Sequence, residues 1–405
     1  MNTGIPDLCA DAAPWALAGK AVYTDYNATT PVDPRVVRAM LPFLSTDFGN
    51  PSSAHEYGLG PSVAIDHARA QVANLVGAAA QEILFTGSGS EADATAIRGV
   101  VTAARSRGIE RPHVITQASE HPAVLAACEY AERHHDAQVR ILDTDSDGLV
   151  APSVLAAAMT PATVLVSIMH ANNETGVLQP VAQLARIAHE GSAVFHTDAA
   201  QSVGKIAVDV DELGVDLLTL VGHKLYAPKG VAALYIRDGV ELEPLIGGGG
   251  QERGMRAGTE NVPFIVALGC AAELAAADLA SGSAARLERL REEMIDELAR
   301  RLPGRVHVNG SAAPRLPQTA NISIDGTAGH QILADAPDVA ASVGSACHAG
   351  NHQPSPVLTA MGIDASRAIA ALRLSMGRWS TEADVARVVN AITTAAGGPE
   401  FSPPS

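Results

Sequence analysis

The stretch LLTLVGHKLYAPKG spans Leu217 to Gly230. An apolar run suited to a buried strand ends abruptly in His223 and Lys224, and Tyr226, Pro228 and Gly230 then turn the chain. A charged ammonium at a buried strand end is costly unless it is paired or neutralised, and burial depresses a lysine's pKa toward nucleophilic use. Schiff-base formation with an aldehyde is one such use. An arbitrary lysine more often snorkels to the surface, so the choice falls to its surroundings.

Upstream and downstream of this strand, apolar bursts alternate with Ala-rich helical stretches from about residue 61 to 275: EILFTG, HVITQ, TVLVSIMH, AVFHTD, DLLTLVG and VAALYIR. That alternation predicts an α/β domain with a largely parallel sheet flanked by helices. Several bursts end in a polar residue, Thr86, Gln117, His170, Asp198 and His223, and ligands of open α/β sheets sit beyond the carboxyl ends of the strands. A long helical stretch from Ala267 with a break near Ser281–Gly282–Ser283 leads to RVHVNG, TANISID, DVAASVG and ALRLSMG, a smaller α+β unit. The expected division is a large domain over 33–275, a small one from 1–32 and 276–397, and a disordered tail over 398–405.

The 405 residues suffice for two cores. A net charge of -16 disfavours a surface for nucleic acid or anionic lipid. Four scattered cysteines, Cys9, Cys128, Cys270 and Cys347, without CxxC spacing suggest neither a disulfide framework nor a zinc site, and fit a reducing cytoplasm. The N-terminus lacks a basic, apolar leader pattern, and no apolar run is read as reaching the ~18 residues of a spanning helix. The fourteen histidines show no ligand spacing backed by a second motif, so no metal is expected.

Pyridoxal 5'-phosphate asks three things of a protein: an imine-forming lysine, a carboxylate against its ring nitrogen, and a phosphate cup. Lys224 and Asp198 suit the first two. The third is readable in FTGSGSEADATA, where a strand passes through small residues into a helix whose N-terminus presents N–H groups to an anion. Many βα turns look like this one; three requirements met on three strand ends carry more weight.

The segments DYNATTP, GNPSSAH, SEHPAV, MHANNETGVLQP, HTDAAQSVGK, GHKLYAPKG, GGGGQERGMRAGTEN, GSACHAG and LRLSMGR resemble, in order and spacing, the fold type I pyridoxal-phosphate-dependent cysteine desulfurases and selenocysteine lyases, over about residues 21 to 395. The resemblance implies that Lys224 forms the Schiff base, Asp198 holds the ring nitrogen and Gln201 bonds the ring hydroxyl. His121 stacks on the ring and moves protons, a task suited to imidazole; Asn173 contacts cofactor or substrate. Gly89, Ser90 and His223 receive the phosphate, joined by Thr259 from the second subunit of a homodimer.

Cys347, in SVGSACHAGNHQPSP, is the implied nucleophile, with His348 beside it to favour the thiolate. Cys128 and Cys270, in Ala-rich helical stretches, read as structural thiols. Arg373 is the implied grip on the substrate carboxylate, matched by its planar guanidinium fork. The implied reaction converts L-cysteine to alanine and leaves a persulfide on Cys347 for a protein acceptor, serving iron-sulfur cluster assembly, tRNA thiolation or DNA phosphorothioation. A selenocysteine lyase acting on L-selenocysteine is the nearest rival, and an inactive scaffold of the same fold the rival of another class. Two departures stand out: Val221 occupies a position where many members have a serine, and TGSGSEA replaces their usual cup sequence.

Overall fold

The computed structural model describes Pro14, Leu17 and residues 19–344 and 353–397. Its strands are β1 (Val22–Tyr23), β2 (Ile83–Thr86), β3 (His113–Gln117), β4 (Gln138–Leu142), β5 (Thr163–Ser167), β6 (Val194–Asp198), β7 (Leu217–Val221), β8 (Ala232–Ile236), β9 (Val306–Val308), β10 (Thr319–Ile324), β11 (Val339–Ala340) and β12 (Ala371–Ser375). Seven build a mixed central sheet in the order β2-β8-β7-β6-β5-β3-β4. Only β8 runs against its neighbours, so β2 points the same way as β7 and the other parallel strands. Their carboxyl ends therefore share one edge, where the site lies.

Side chains alternate across each strand, and β7 shows what that does here. Leu218 and Leu220 join Val72, Phe85, Phe195 and Leu268 on one face, while Leu217 joins Leu84, Ile97, Val100, Val114 and Leu234 on the other. Helices α1 (Pro34–Met40) and α2 (Glu56–Val76) belong to the first layer, α3 (Gly89–Ser106) and α4 (Pro122–His135) to the second. Every expected burst of this region holds a strand. The sequence reading missed β4, an edge strand whose Gln138 and Arg140 interrupt the apolar signal and whose Ile141 is exposed.

Helix Val262–Ala280 corrects the reading of apolar runs: its 19 residues have the length and mean hydropathy, 1.7, of a membrane span. Its Ile265, Leu268, Ala271, Ala272 and Ala275 are instead buried in the first core layer, where it packs on α2 and α1. Small residues give it that composition and let it pack closely.

The chain breaks at Gly282, in the left-handed region (φ 80°), before helix Ser283–Arg301. Beyond it, β12, β10 and β9 form an antiparallel sheet whose Ile322, Leu372 and Leu374 pack on Leu290, Met294 and Leu298 of that helix and on Val388, Val389 and Ile392 of the helix Glu382–Ala395. β1 pairs in parallel with β11, which attaches the N-terminal strand to this second group. Residues 398–405 and the stretch 345–352, with Cys347 and His348, lie outside the described residues, as does Cys9.

Candidate active site

After Val221 the chain makes one 3-10 turn over Gly222–Lys224, which swings Lys224 across the strand edge toward DYNATT. Lys224 Nζ donates to the backbone oxygens of Asn27 and, at 2.8 Å, Ala28. Burial and the nearby Arg373 cation push its pKa from 10.5 down to about 8, with Asp198 and Asp25 opposing. The lysine therefore reaches its neutral, nucleophilic form far more readily than a surface lysine does.

Asp198, the last residue of β6, is buried, and its Oδ1 accepts from Ala200 N at 2.9 Å. Burial raises its pKa; the Ala200 N–H and the charges of His121 and Lys224 act the other way. A cation placed against this carboxylate would relieve its desolvation. His121 caps α4, its Nδ1 accepting from Ala123 N at 3.2 Å. Burial lowers the His121 pKa, with Asp198 opposing, so the ring is neutral near pH 7.

The cup forms where β2 runs into α3. Ser88 caps the helix, its Oγ accepting from Glu91 N at 3.1 Å, which leaves Gly89 and Ser90 as the first helical residues. A Cβ on Gly89 would sit 2.6 Å from Val221 Cγ2. The valine thus packs against the bare α-carbon, which is what this chain has in place of a serine hydroxyl. His223 follows Val221 by two residues, and its Nδ1 lies 3.1 Å from Thr29 Oγ1. Burial, then Lys224, lowers its pKa to about 4, so it is a neutral hydrogen-bonding group.

Arg373, in β12, is buried, and its Nη2 lies 2.7 Å from Asp25 Oδ1 while Nη1 donates to Asn173 O at 3.2 Å. Its Nε has no partner among the described residues. The same is true of Gln201 Oε1, although Gln201 Nε2 donates to Asn27 O at 3.0 Å. Unpaired buried polar atoms are expensive. A lysine amine, a buried carboxylate, a neutral imidazole, a helix N-terminus and two unsatisfied polar groups together fit an anionic aromatic aldehyde and a carboxylate substrate, so pyridoxal phosphate fits the residues present.

Asn173 has its side chain half-buried and without a partner among the described residues; the turn role falls to Asn172, whose Oδ1 accepts from Glu174 N and Thr175 N at 2.9 and 3.0 Å. Thr259 is exposed, and its side chain has no hydrogen-bond partner among the described residues. Its loop is fixed by the buried Arg69–Glu252 pair and by Arg256 Nε on Glu91 Oε1 at 2.8 Å. Cys128 is buried, its thiol pushed up to about 12 by burial; burial also raises Cys270.

Sequence reasoning assigned no role to several residues that organise this site. Asp25, Asn27, Ala28 and Thr29 receive Arg373, Gln201, Lys224 and His223, a convergence that DYNATTP signalled only as a motif. Asp93 and Glu120 lie fully buried near Asp198, and burial raises both well above the usual carboxylate range. Lys205 is also buried, its amine pushed down to about 7 by burial and by Lys224.

The family model described as aminotransferase class-V matches residues 22–388. A cysteine desulfurase IscS of Methanosarcina thermophila is 44% identical over 375 residues, covering 92% of this chain and 91% of its own. Among solved structures, a NifS-like protein matches with a TM-score of 0.83 at 34% identity, over 93% of this chain and 98% of its own. SspA, solved in complex with cysteine, matches with a TM-score of 0.77 at 36% identity, over 89% and 99%.

Proposed function

This chain belongs to the class-V aminotransferase family and is a pyridoxal-phosphate-dependent cysteine desulfurase, and from that premise we propose how its residues divide the work. The observation that carries the assignment is the convergence of Lys224, Asp198 and His121 at one edge of the large sheet with Arg373 of the smaller one, linked through DYNATT, with Arg373 Nε and Gln201 Oε1 buried and without a partner among the described residues.

When bound, pyridoxal 5'-phosphate supplies an aldehyde for the substrate amine and a ring that draws off electrons as substrate bonds break. Lys224 anchors it between turnovers. Asp198 keeps a proton on the ring nitrogen, and Gln201 bonds the ring hydroxyl. Gly89, Ser90 and His223 receive the phosphate, with Thr259 of a second copy completing the cup. His121, its imidazole pKa lowered by burial, would pack against the cofactor ring and would accept and return a proton at the substrate. Asn173 orients the substrate beside Arg373, which grips the α-carboxylate in a bidentate contact.

Cys347 then attacks the substrate sulfur as thiolate. The S–S bond forms while the substrate Cβ–S bond breaks, and its electron pair stays with the carbon skeleton, which is protonated to alanine. L-cysteine and the Cys347 thiol thus become L-alanine and a Cys347 persulfide, whose outer sulfur passes to a protein acceptor. A reducing, cytoplasmic setting suits a chain whose described cysteines, Cys128 and Cys270, are both free thiols.

The working unit is a homodimer. Leu41, Leu44, Phe48, Tyr57, Leu59 and Val63 are exposed along one short piece of chain, and such a patch favours a partner surface. Thr259, exposed on an anchored loop, is presented outward as an intersubunit contact requires.

Incubation of the holoenzyme with L-cysteine, followed by amino-acid analysis and mass spectrometry, tests the assignment. The expected result is alanine with an equal amount of one added sulfur on the Cys347 peptide. Cys347→Ser keeps the cofactor absorbance and gains no sulfur; added sulfur on that variant would place the nucleophile elsewhere.

A further inference from the structure

The carboxyl of Glu174 lies between the two chain ends that frame the Cys347 segment. Its Oε2 accepts from Ser355 Oγ at 2.5 Å. Ser355 in turn caps the helix Pro356–Ala360, its Oγ accepting from Val357 N at 3.1 Å and Leu358 N at 3.3 Å. On the other side, a Cβ built on Gly344 would fall 2.5 Å from the same Oε2, and Gly344 adopts φ 98°, a left-handed conformation that glycine tolerates. One buried oxygen thus bonds the helix-capping residue after 345–352 and closes the space beside the residue just before it, whose N–H donates to Ser342 Oγ at 3.1 Å.

Glu174 is itself held. Its N–H donates to Asn172 Oδ1, and Asn321 Nδ2 of β10 donates to its carbonyl at 3.2 Å. The preceding residue, Asn173, accepts from Arg373 through its carbonyl, and Arg373 N donates to Ser342 O at 2.7 Å. The roots of the nucleophile segment and the proposed carboxylate grip therefore share one frame.

We propose that Glu174 is a positioning residue that pins Gly344 and Ser355 together and so sets the rate at which the Cys347 sulfur reaches the substrate sulfur. Fixing Gly344 and Ser355 relative to each other sets where the chain that carries Cys347 departs and returns, and reactive geometry is sensitive to displacements of about 1 Å. Burial favours the neutral acid of Glu174, with Ser355 and Arg373 opposing, so glutamine is the conservative replacement. The inference rests on Cys347 being the nucleophile.

The test is a single turnover of L-cysteine on holoenzyme, read as sulfur added to the Cys347 peptide, with the cysteine-induced change in cofactor absorbance followed in parallel. Glu174→Ala and Ser355→Ala each slow sulfur arrival about tenfold or more while the absorbance change keeps its rate. Glu174→Gln stays within about threefold, and the double alanine variant is no slower than the slower single one. Wild-type sulfur arrival in Glu174→Ala, or two effects that multiply, would overturn the proposal. Should Glu174→Ala fail to retain cofactor, Ser355→Ala decides, and an unslowed rate there overturns it. Wild-type enzyme that releases alanine with no sulfur on Cys347 overturns the nucleophile assignment and this inference together; sulfur on Cys347 with no response to these variants overturns this inference alone.

Discussion

Asp33 shows how one residue joins the two parts of the molecule. It caps α1 and binds Arg35 through two contacts of 2.9 Å, while Arg378, beyond the second sheet, reaches its Oδ2. Burial alone would raise the Asp33 pKa, but the Arg35 hydrogen bonds and the Arg378 charge outweigh it and hold the carboxyl below its usual value of 3.8. A depressed folded pKa means that the stabilisation is fully present above the unfolded value and is lost as pH falls through the folded one. Asp33→Asn should therefore cost about 1.5–3 kcal/mol at neutral pH, with a deficit that is constant above about pH 5 and shrinks below about pH 4. Melting temperatures from pH 7 down to pH 3.5 measure this, and a deficit that does not change with pH would contradict the carboxylate's role. In the sequence, Asp33 announced itself only as a residue before Pro34; its partner lies 345 positions away, a pairing that no local pattern carries.

Among the elements, the junction of β2, α3 and β7 decides how the proposed phosphate cup is built. Gly89 opens α3 against Val221, and a side chain there would overlap Val221 Cγ2 at 2.6 Å. Overpacking of this kind costs about 1–3 kcal/mol, which falls on the N–H groups that face the anion. Gly89→Ala should weaken cofactor retention by about tenfold or more, and the second change Val221→Ala should recover most of it. Equilibrium titration with pyridoxal phosphate tests both, and a Gly89→Ala variant with normal affinity would remove Val221 from this account. The strands were legible because burial on both faces made them continuous apolar runs, and the polar residues ending them marked the functional edge. β4 was not, because an edge strand with one exposed face has no such run. Nor was the packing of Gly89 on Val221 legible, because two strand ends meet there only once β8 is inserted between β2 and β7.

At the scale of the whole molecule, the large sheet supplies Lys224, Asp198, His121 and the cup, and the smaller one supplies Arg373. DYNATT, between β1 and α1, holds the two sets together through Asp25 and Asn27. Motif order pointed to the residues proposed for the site, whereas the hydrogen bonds that fix them depend on the mutual placement of segments far apart in sequence. The proposed homodimer is testable at this scale. Leu59→Glu, in the exposed patch, should shift the sedimenting species from twice the chain mass toward the single chain and lower activity with it; an undissociated, fully active variant would locate the interface elsewhere.

Cofactor chemistry depends most on the Lys224 amine, in the 3-10 turn that follows β7. Borohydride reduction of the holoenzyme, followed by peptide mass spectrometry, should leave a pyridoxyl group on Lys224 and none in Lys224→Ala. A reduced cofactor on another lysine, or no covalent cofactor on the wild-type protein, would contradict it.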